Sequence, residues 1–161
     1  MFSTRRSQSA SPELNDKGEF VITANYLMLL CDEQGLYRTP HLNDKLYLHH
    51  KGLQKIANLD LYVNVKSLFL EHNVFKKIEN LECLTSLVNL YLHHNLITDM
   101  TGLASLTSLS RLNLSFNRIS RITGLSALAN LDSLYISRNN LTSAESIEGV
   151  LECPSLTLLD V

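Results

Sequence analysis

A phrase of 22 residues is written four times in succession along this chain. It reads LFLEHNVFKKIENLECLTSLVN from Leu68, LYLHHNLITDMTGLASLTSLSR from Leu90 and LNLSFNRISRITGLSALANLDS from Leu112, and returns less regularly from Leu134. A fainter copy, LYLHHKGLQKIANLDLYVNVKS, begins at Leu46. A fixed period of this length means that each unit packs only against its neighbours, so the chain stacks into a solenoid. Such a ribbon presents surface, and its usual work is binding.

Aligned copies resolve into columns with separate physical roles. Leu46, Leu68, Leu90, Leu112 and Leu134 form one apolar column, and Leu48, Leu70, Leu92, Leu114 and Ile136 the next, two residues on. A period of two marks a short strand with one buried face. Further apolar columns run through Leu53, Phe75, Ile97, Ile119 and Leu141, then Ile56, Ile78, Met100 and Ile122, then Leu59, Leu81, Leu103, Leu125 and Ile147. Stacking closes these into one core, with parallel strands lining the concave side.

Asn73, Asn95, Asn117 and Asn139 recur just after each strand. An amide carries donors and an acceptor, so it can bridge backbone groups of its own coil and the next. This column is expected to be a structural asparagine ladder, and Lys51 in the first copy marks that copy as terminal and atypical.

Three regions are expected: a disordered tail over 1–20, an N-terminal helical cap and lead-in over 21–43, and repeats over 44–161, five copies plus a truncated sixth strand. Thr23 can cap a helix that Gly35 stops, and Pro40 breaks the path into the first strand. At the far end Thr142-x-x-Glu145 spells a capping box before a short helix that stops at Pro154. The period there stretches from 22 to 25 residues. The chain then stops within a strand with no polar cap, which reads as a fragment or short form of a longer protein.

With leucines inward, the alternate strand residues face the concave surface. One column holds Tyr47, Phe69, Tyr91, Asn113 and Tyr135. Next come His49, Glu71, His93, Ser115 and Ser137, then His50, His72, His94, Phe116 and Arg138. Tyr, Phe and Arg dominate binding hot spots. The candidate partner-binding face is therefore Tyr47, His49, His50, Phe69, His72, Tyr91, His93, His94, Tyr135 and Arg138. Aromatic rings on parallel strands also steady a sheet by stacking, so the row has a structural reading as well.

The remaining chemistry is sparse. His50, His72 and His94 form a line rather than a cage, so no metal site is expected. No phosphate-binding glycine loop, nucleophile elbow or H-E-x-x-H occurs, so no catalytic residue, cofactor or small-molecule substrate is assigned. A net charge of −2 without a basic stripe argues against nucleic acid, and no apolar run approaches a membrane span. Cys31, Cys83 and Cys153 each sit in an apolar pattern, so all three are expected as buried, reduced thiols. With no secretory h-region at the N-terminus, an intracellular protein is expected.

The 22-residue period with its I-x-x-I-x-x-L convex segment resembles the SDS22-like class of intracellular leucine-rich repeats. That implies an α/β leucine-rich repeat solenoid. A narrower match runs through Leu36-Tyr37-x-Thr39-Pro40-x-Leu42-Asn43-Asp44-x-Leu46-Tyr47-Leu48-His49-x-Lys51-Gly52. Together with Lys77-Ile78-Glu79-Asn80-Leu81-Glu82 and the stretched fifth unit, this is similar to the dynein axonemal assembly factor 1 family. The resemblance implies a non-enzymatic factor for cytoplasmic preassembly of axonemal dynein arms, associated with the cilium or flagellum. It also implies a protein partner, a dynein subunit or a co-chaperone. Two other readings use the same face: a phosphatase regulatory subunit of the SDS22 kind, and an axonemal dynein leucine-rich light chain.

Overall fold

The computed structural model describes residues 10–161. Six three-residue strands form one parallel sheet in chain order. They are β3 (Lys45–Tyr47), β4 (Ser67–Phe69), β5 (Asn89–Tyr91), β6 (Arg111–Asn113), β7 (Ser133–Tyr135) and β8 (Leu158–Asp160). Register follows the repeat: Leu46 lies opposite Leu68, then Leu90, Leu112, Leu134 and Leu159. The last step absorbs the stretched period.

Both inward leucine columns are buried. Two further columns complete the core: Tyr62, Leu84, Leu106, Leu128 and Cys153, and Val65, Leu87, Leu109 and Leu131. They arise because the convex side is a chain of tight turns rather than a helix. In the second coil Leu84 N donates to Leu81 O and Leu87 N to Leu84 O, at 2.9 and 3.0 Å. Such turns repeat every third residue and drive every third side chain inward.

That spacing corrects one expectation. Cys83 falls between the inward Leu81 and Leu84 and is exposed, whereas Cys31 and Cys153 are buried. Burial raises the pKa of both inner thiols, which weakens them further as nucleophiles. In the native protein a maleimide should therefore modify Cys83 alone, with Cys31 and Cys153 reacting only in denaturant. Peptide mapping reads the outcome, and native labelling of Cys153 would contradict this packing.

The N-terminal cap is built as its signals direct. Thr23 Oγ1 accepts from Tyr26 N at 3.1 Å, starting α1 (Ala24–Glu33). Gly35 follows in the left-handed region at φ 68°. Tyr26, Leu27, Leu30 and Cys31 bury against the first coil. Gln34 Nε2 donates to Tyr47 O at 2.9 Å, covering the edge of β3.

Ahead of this helix, where a tail without structure was expected, the chain forms a hairpin of β1 (Glu13–Leu14) and β2 (Phe20–Val21). Asn15 closes its turn, its Oδ1 accepting from Lys17 N and Glu19 N at 2.9 and 3.0 Å. Phe20 O accepts from Gln54 N at 2.9 Å, tying the hairpin to the first coil. Residues 1–9 of the expected tail lie outside the described residues.

The capping box at Thr142 is also corrected. The turn Ala144–Ser146 begins after Ser143 without a side-chain cap, and Glu148–Glu152 continues as a 3-10 rather than an α-helix. No helix among the described residues is long and apolar enough to cross a membrane.

Candidate functional site

The asparagine column holds the site in shape. Asn95 Nδ2 donates to Leu70 O and Leu92 O, both at 3.0 Å, and its Oδ1 accepts from Phe75 N at 3.1 Å. Asn73, Asn117 and Asn139 repeat the pattern, each bridging its own coil and the preceding one. The residue before each ladder asparagine is forced left-handed. His72, His94, Phe116 and Arg138 have φ of 55, 55, 57 and 58°, and His50, before Lys51, has 54°.

Such angles cost a non-glycine residue about 1–2 kcal/mol. The cost is offset by regular backbone bonds: His72 N donates to His93 O at 3.1 Å and His94 N to Ser115 O at 3.0 Å.

Two ring ladders result. On the strands, Tyr47 stacks on Phe69 and Phe69 on Tyr91, both with centroids 4.8 Å apart, which is the strand spacing itself. On the left-handed rim, His50, His72, His94 and Phe116 stack in sequence at 4.1, 4.3 and 4.2 Å. His49 joins the two edge-on, 6.2 Å from Tyr47 and 5.7 Å from His50, while His93 packs edge-on against the rim, 5.7 Å from His72 and 5.6 Å from His94.

The structure thus brings Tyr47, His49, His50, Phe69, His72, Tyr91, His93 and His94 into one continuous aromatic surface. Tyr135 and Arg138 lie beyond it, separated on the strand side by Asn113 and Ser115. Phe116, 47% exposed, extends the rim ladder and belongs to the site although the sequence reading left it out. Its signal was its place in the same column as three histidines.

Glu71 is the other residue that reading passed over. Its Oε1 lies 3.8 Å from His49 Nδ1, while Oε2 is buried without a hydrogen-bond partner, as are Nδ1 of His49 and of His93. Burial lowers the pKa of His93, with Glu71 acting in the opposite sense. Burial and the flanking His50 and His94 rings lower that of His72. Both rings are therefore neutral at neutral pH, which suits stacking. Among the described residues, no three His, Cys, Asp or Glu side chains converge as a metal set.

Comparison with known proteins gives this geometry a context. The family model described as Leucine Rich repeats (2 copies) matches residues 63–105 and 107–149, more than half of the chain. Over 47 residues the chain is 51% identical to the leucine-rich repeat-containing protein ODA7 of Chlamydomonas reinhardtii, covering 29% of this chain and 11% of that one. Over 63 residues it is 43% identical to dynein axonemal assembly factor 1 of Peromyscus polionotus, covering 39% and 10%. The matched segments thus span about a tenth of those relatives.

Among solved structures, a leucine-rich repeat protein of Leptospira interrogans aligns with a TM-score of 0.68 at 19% identity, over 88% of this chain and 34% of that one. An internalin of Listeria monocytogenes aligns at 0.63 and 22%, over 83% and 43%. These likenesses concern the fold.

Proposed function

Because this chain belongs to the leucine-rich repeat family, we propose that it is a non-enzymatic scaffold whose concave aromatic face docks a protein partner. The observation that carries this reading is the unbroken ring surface from Tyr47 to Phe116, far larger than stacking within a three-residue strand requires. The identity with dynein axonemal assembly factor 1 and with ODA7 supports a narrower assignment. On it, the protein serves cytoplasmic preassembly of axonemal dynein arms, in association with the cilium or flagellum. Its partner is then a dynein subunit or a co-chaperone.

Replacing Tyr47, Phe69 and Tyr91 together with alanine removes the strand ladder while leaving the buried leucines untouched. Capture of axonemal dynein chains from the cytoplasm of ciliated cells should fall at least about tenfold, since ring anchors each contribute roughly 1–2 kcal/mol or more. Circular dichroism should remain that of the parent. Equal capture by the folded triple variant would overturn the reading.

A further inference from the structure

The rim ladder is built of groups that titrate. His50, His72 and His94 are exposed to solvent, so protons reach all three. Their rings nevertheless lie face to face at 4.1 and 4.3 Å, each pair within 12° of parallel. Neutral imidazoles stack at this distance, whereas two imidazoliums repel. Salt screens them little, because the separation is about half a Debye length. A proton on one ring therefore opposes a proton on the next. His72, with a ring on each side, feels this most: burial and the charges of His50, His94 and His49 disfavour its protonation, and Glu71 alone favours it.

The inner column answers acid differently. Glu71 stands half-buried between His49 and His93 on successive coils, 3.8 Å from His49 Nδ1. That is the one histidine ion pair among the described residues. A proton on His49 thus meets a carboxylate and has no need to move the ring. On His93 Glu71 favours the proton, while burial and the charges of His72, His94 and His50 oppose it. The rim has no carboxylate of its own. Its column runs out at two cations, Lys51 next to His50 in the chain and Arg138 one coil past Phe116.

The rings can part without opening the coil. His50 N, His72 N and His94 N donate to Glu71 O, His93 O and Ser115 O at 3.2, 3.1 and 3.0 Å, and no imidazole takes part. Phe116, at φ 57°, stacks on His94 at 4.2 Å, so the column also accepts a ring that never holds a proton.

We propose that the His50–His72–His94 stack is a proton-operated switch on the docking face. Neutral, it completes the ring surface that the partner covers; protonated, its rings separate and the partner is released while the coils stay folded. This presupposes the concave face as the docking surface and names how that surface is regulated. The sign follows from which form is covered: docking buries neutral rings, so affinity is complete above the titration range of the free rim and falls as pH drops through it.

Proton titration of the whole chain tests the switch without a partner. Magnetic resonance of the imidazole Cε1–Hε1 pairs should show the rim rings protonating in separate steps, with the His72 midpoint below that of the urea-unfolded chain. The Phe116 ring protons should lose their ring-current shift over the same interval, with circular dichroism unchanged. Rim rings that titrate together at unfolded-chain values, or a Phe116 signal that stays put, would overturn the switch.

Capture of axonemal dynein chains joins the titration to docking. Between about pH 7.5 and about pH 5.5 the parent should lose about tenfold, the change expected when docking lowers one histidine by about one pH unit. His72→Phe keeps a ring in place and separates the two remaining histidines. It should capture as the parent does at the higher pH and lose less than about threefold at the lower. His72→Tyr replaces it should that variant not fold. Equal acid losses in parent and variant, or capture that ignores pH, would each overturn the switch; the docking face then stands as long as the triple alanine variant fails to capture. Normal capture by that triple variant removes face and switch together.

Discussion

Asn95→Ala should lower the unfolding free energy by about 3–5 kcal/mol, among the largest losses available to a single side chain here. Asn95 is 5% exposed and sits mid-ladder. Its removal strands the Phe75 amide in a coil interior that water does not reach and takes one of two donors from each of the Leu70 and Leu92 carbonyls, which keep Asn73 and Asn117 respectively. The orphaned amide costs roughly 1–3 kcal/mol, and each of the two lost carbonyl bonds about 1 kcal/mol more. Asn95→Asp should be nearly as damaging, because a carboxylate keeps the acceptor for Phe75 and cannot donate to either carbonyl.

Asn139, only half-buried, should lose less on the same change. Urea unfolding monitored by circular dichroism measures the effect as a shift in midpoint. A loss below about 1 kcal/mol for Asn95→Ala would mean that the ladder is not what holds neighbouring coils together.

Gly102→Ala should cost about 3 kcal/mol or more, against about 1 kcal/mol for Gly124→Ala one coil later. Both glycines have positive φ, 91 and 73°. The difference is space. A Cβ at 102 would run into the Ile78 carbonyl of the preceding coil, whose carbon is 2.9 Å away, while at 124 the nearest atom, Met100 O, is 3.9 Å off.

The two earlier coils solve the same turn differently. Asn58 and Asn80 occupy it at φ 59 and 57°, with Nδ2 donating to Ile22 O and Ile56 O at 2.6 and 2.7 Å. In those coils an amide spans the distance that Gly102 closes by direct approach. Comparable losses for both alanine variants would show that backbone angle, and not the close approach, sets the cost.

Much of this architecture can be read from the letters, for a physical reason. A leucine at every second position has one way to bury itself in a strand, and a recurring asparagine behind it has one economical set of partners. Thr23 and Gly35 bracket their helix because capping is local chemistry.

What escaped is what the fold imposes from outside the segment. Phenylalanine and arginine have no preference for a left-handed turn and histidine visits one only occasionally, yet the ladder places His72, Phe116 and Arg138 in one. Cys83 is outside because a turn of three, not a helix, governs its neighbours. The hairpin at 13–21 depends on Asn15 side-chain bonds and on docking to Gln54, which no periodicity announces. Glu71 was visible in its column, but its burial between two imidazoles is a tertiary fact.

The left-handed rim has a consequence for how such a molecule changes over generations. Its backbone angle is dictated by hydrogen bonds that involve no rim side chain, so His50, His72, His94, Phe116 and Arg138 are interchangeable as far as the coil is concerned. Whatever residue stands there is projected at the same angle as its neighbours. Recognition can therefore drift while the leucine and asparagine columns stay constant. Affinity and foldability are inherited on separate tracks, and a lineage can exchange partners without first surviving a destabilised intermediate.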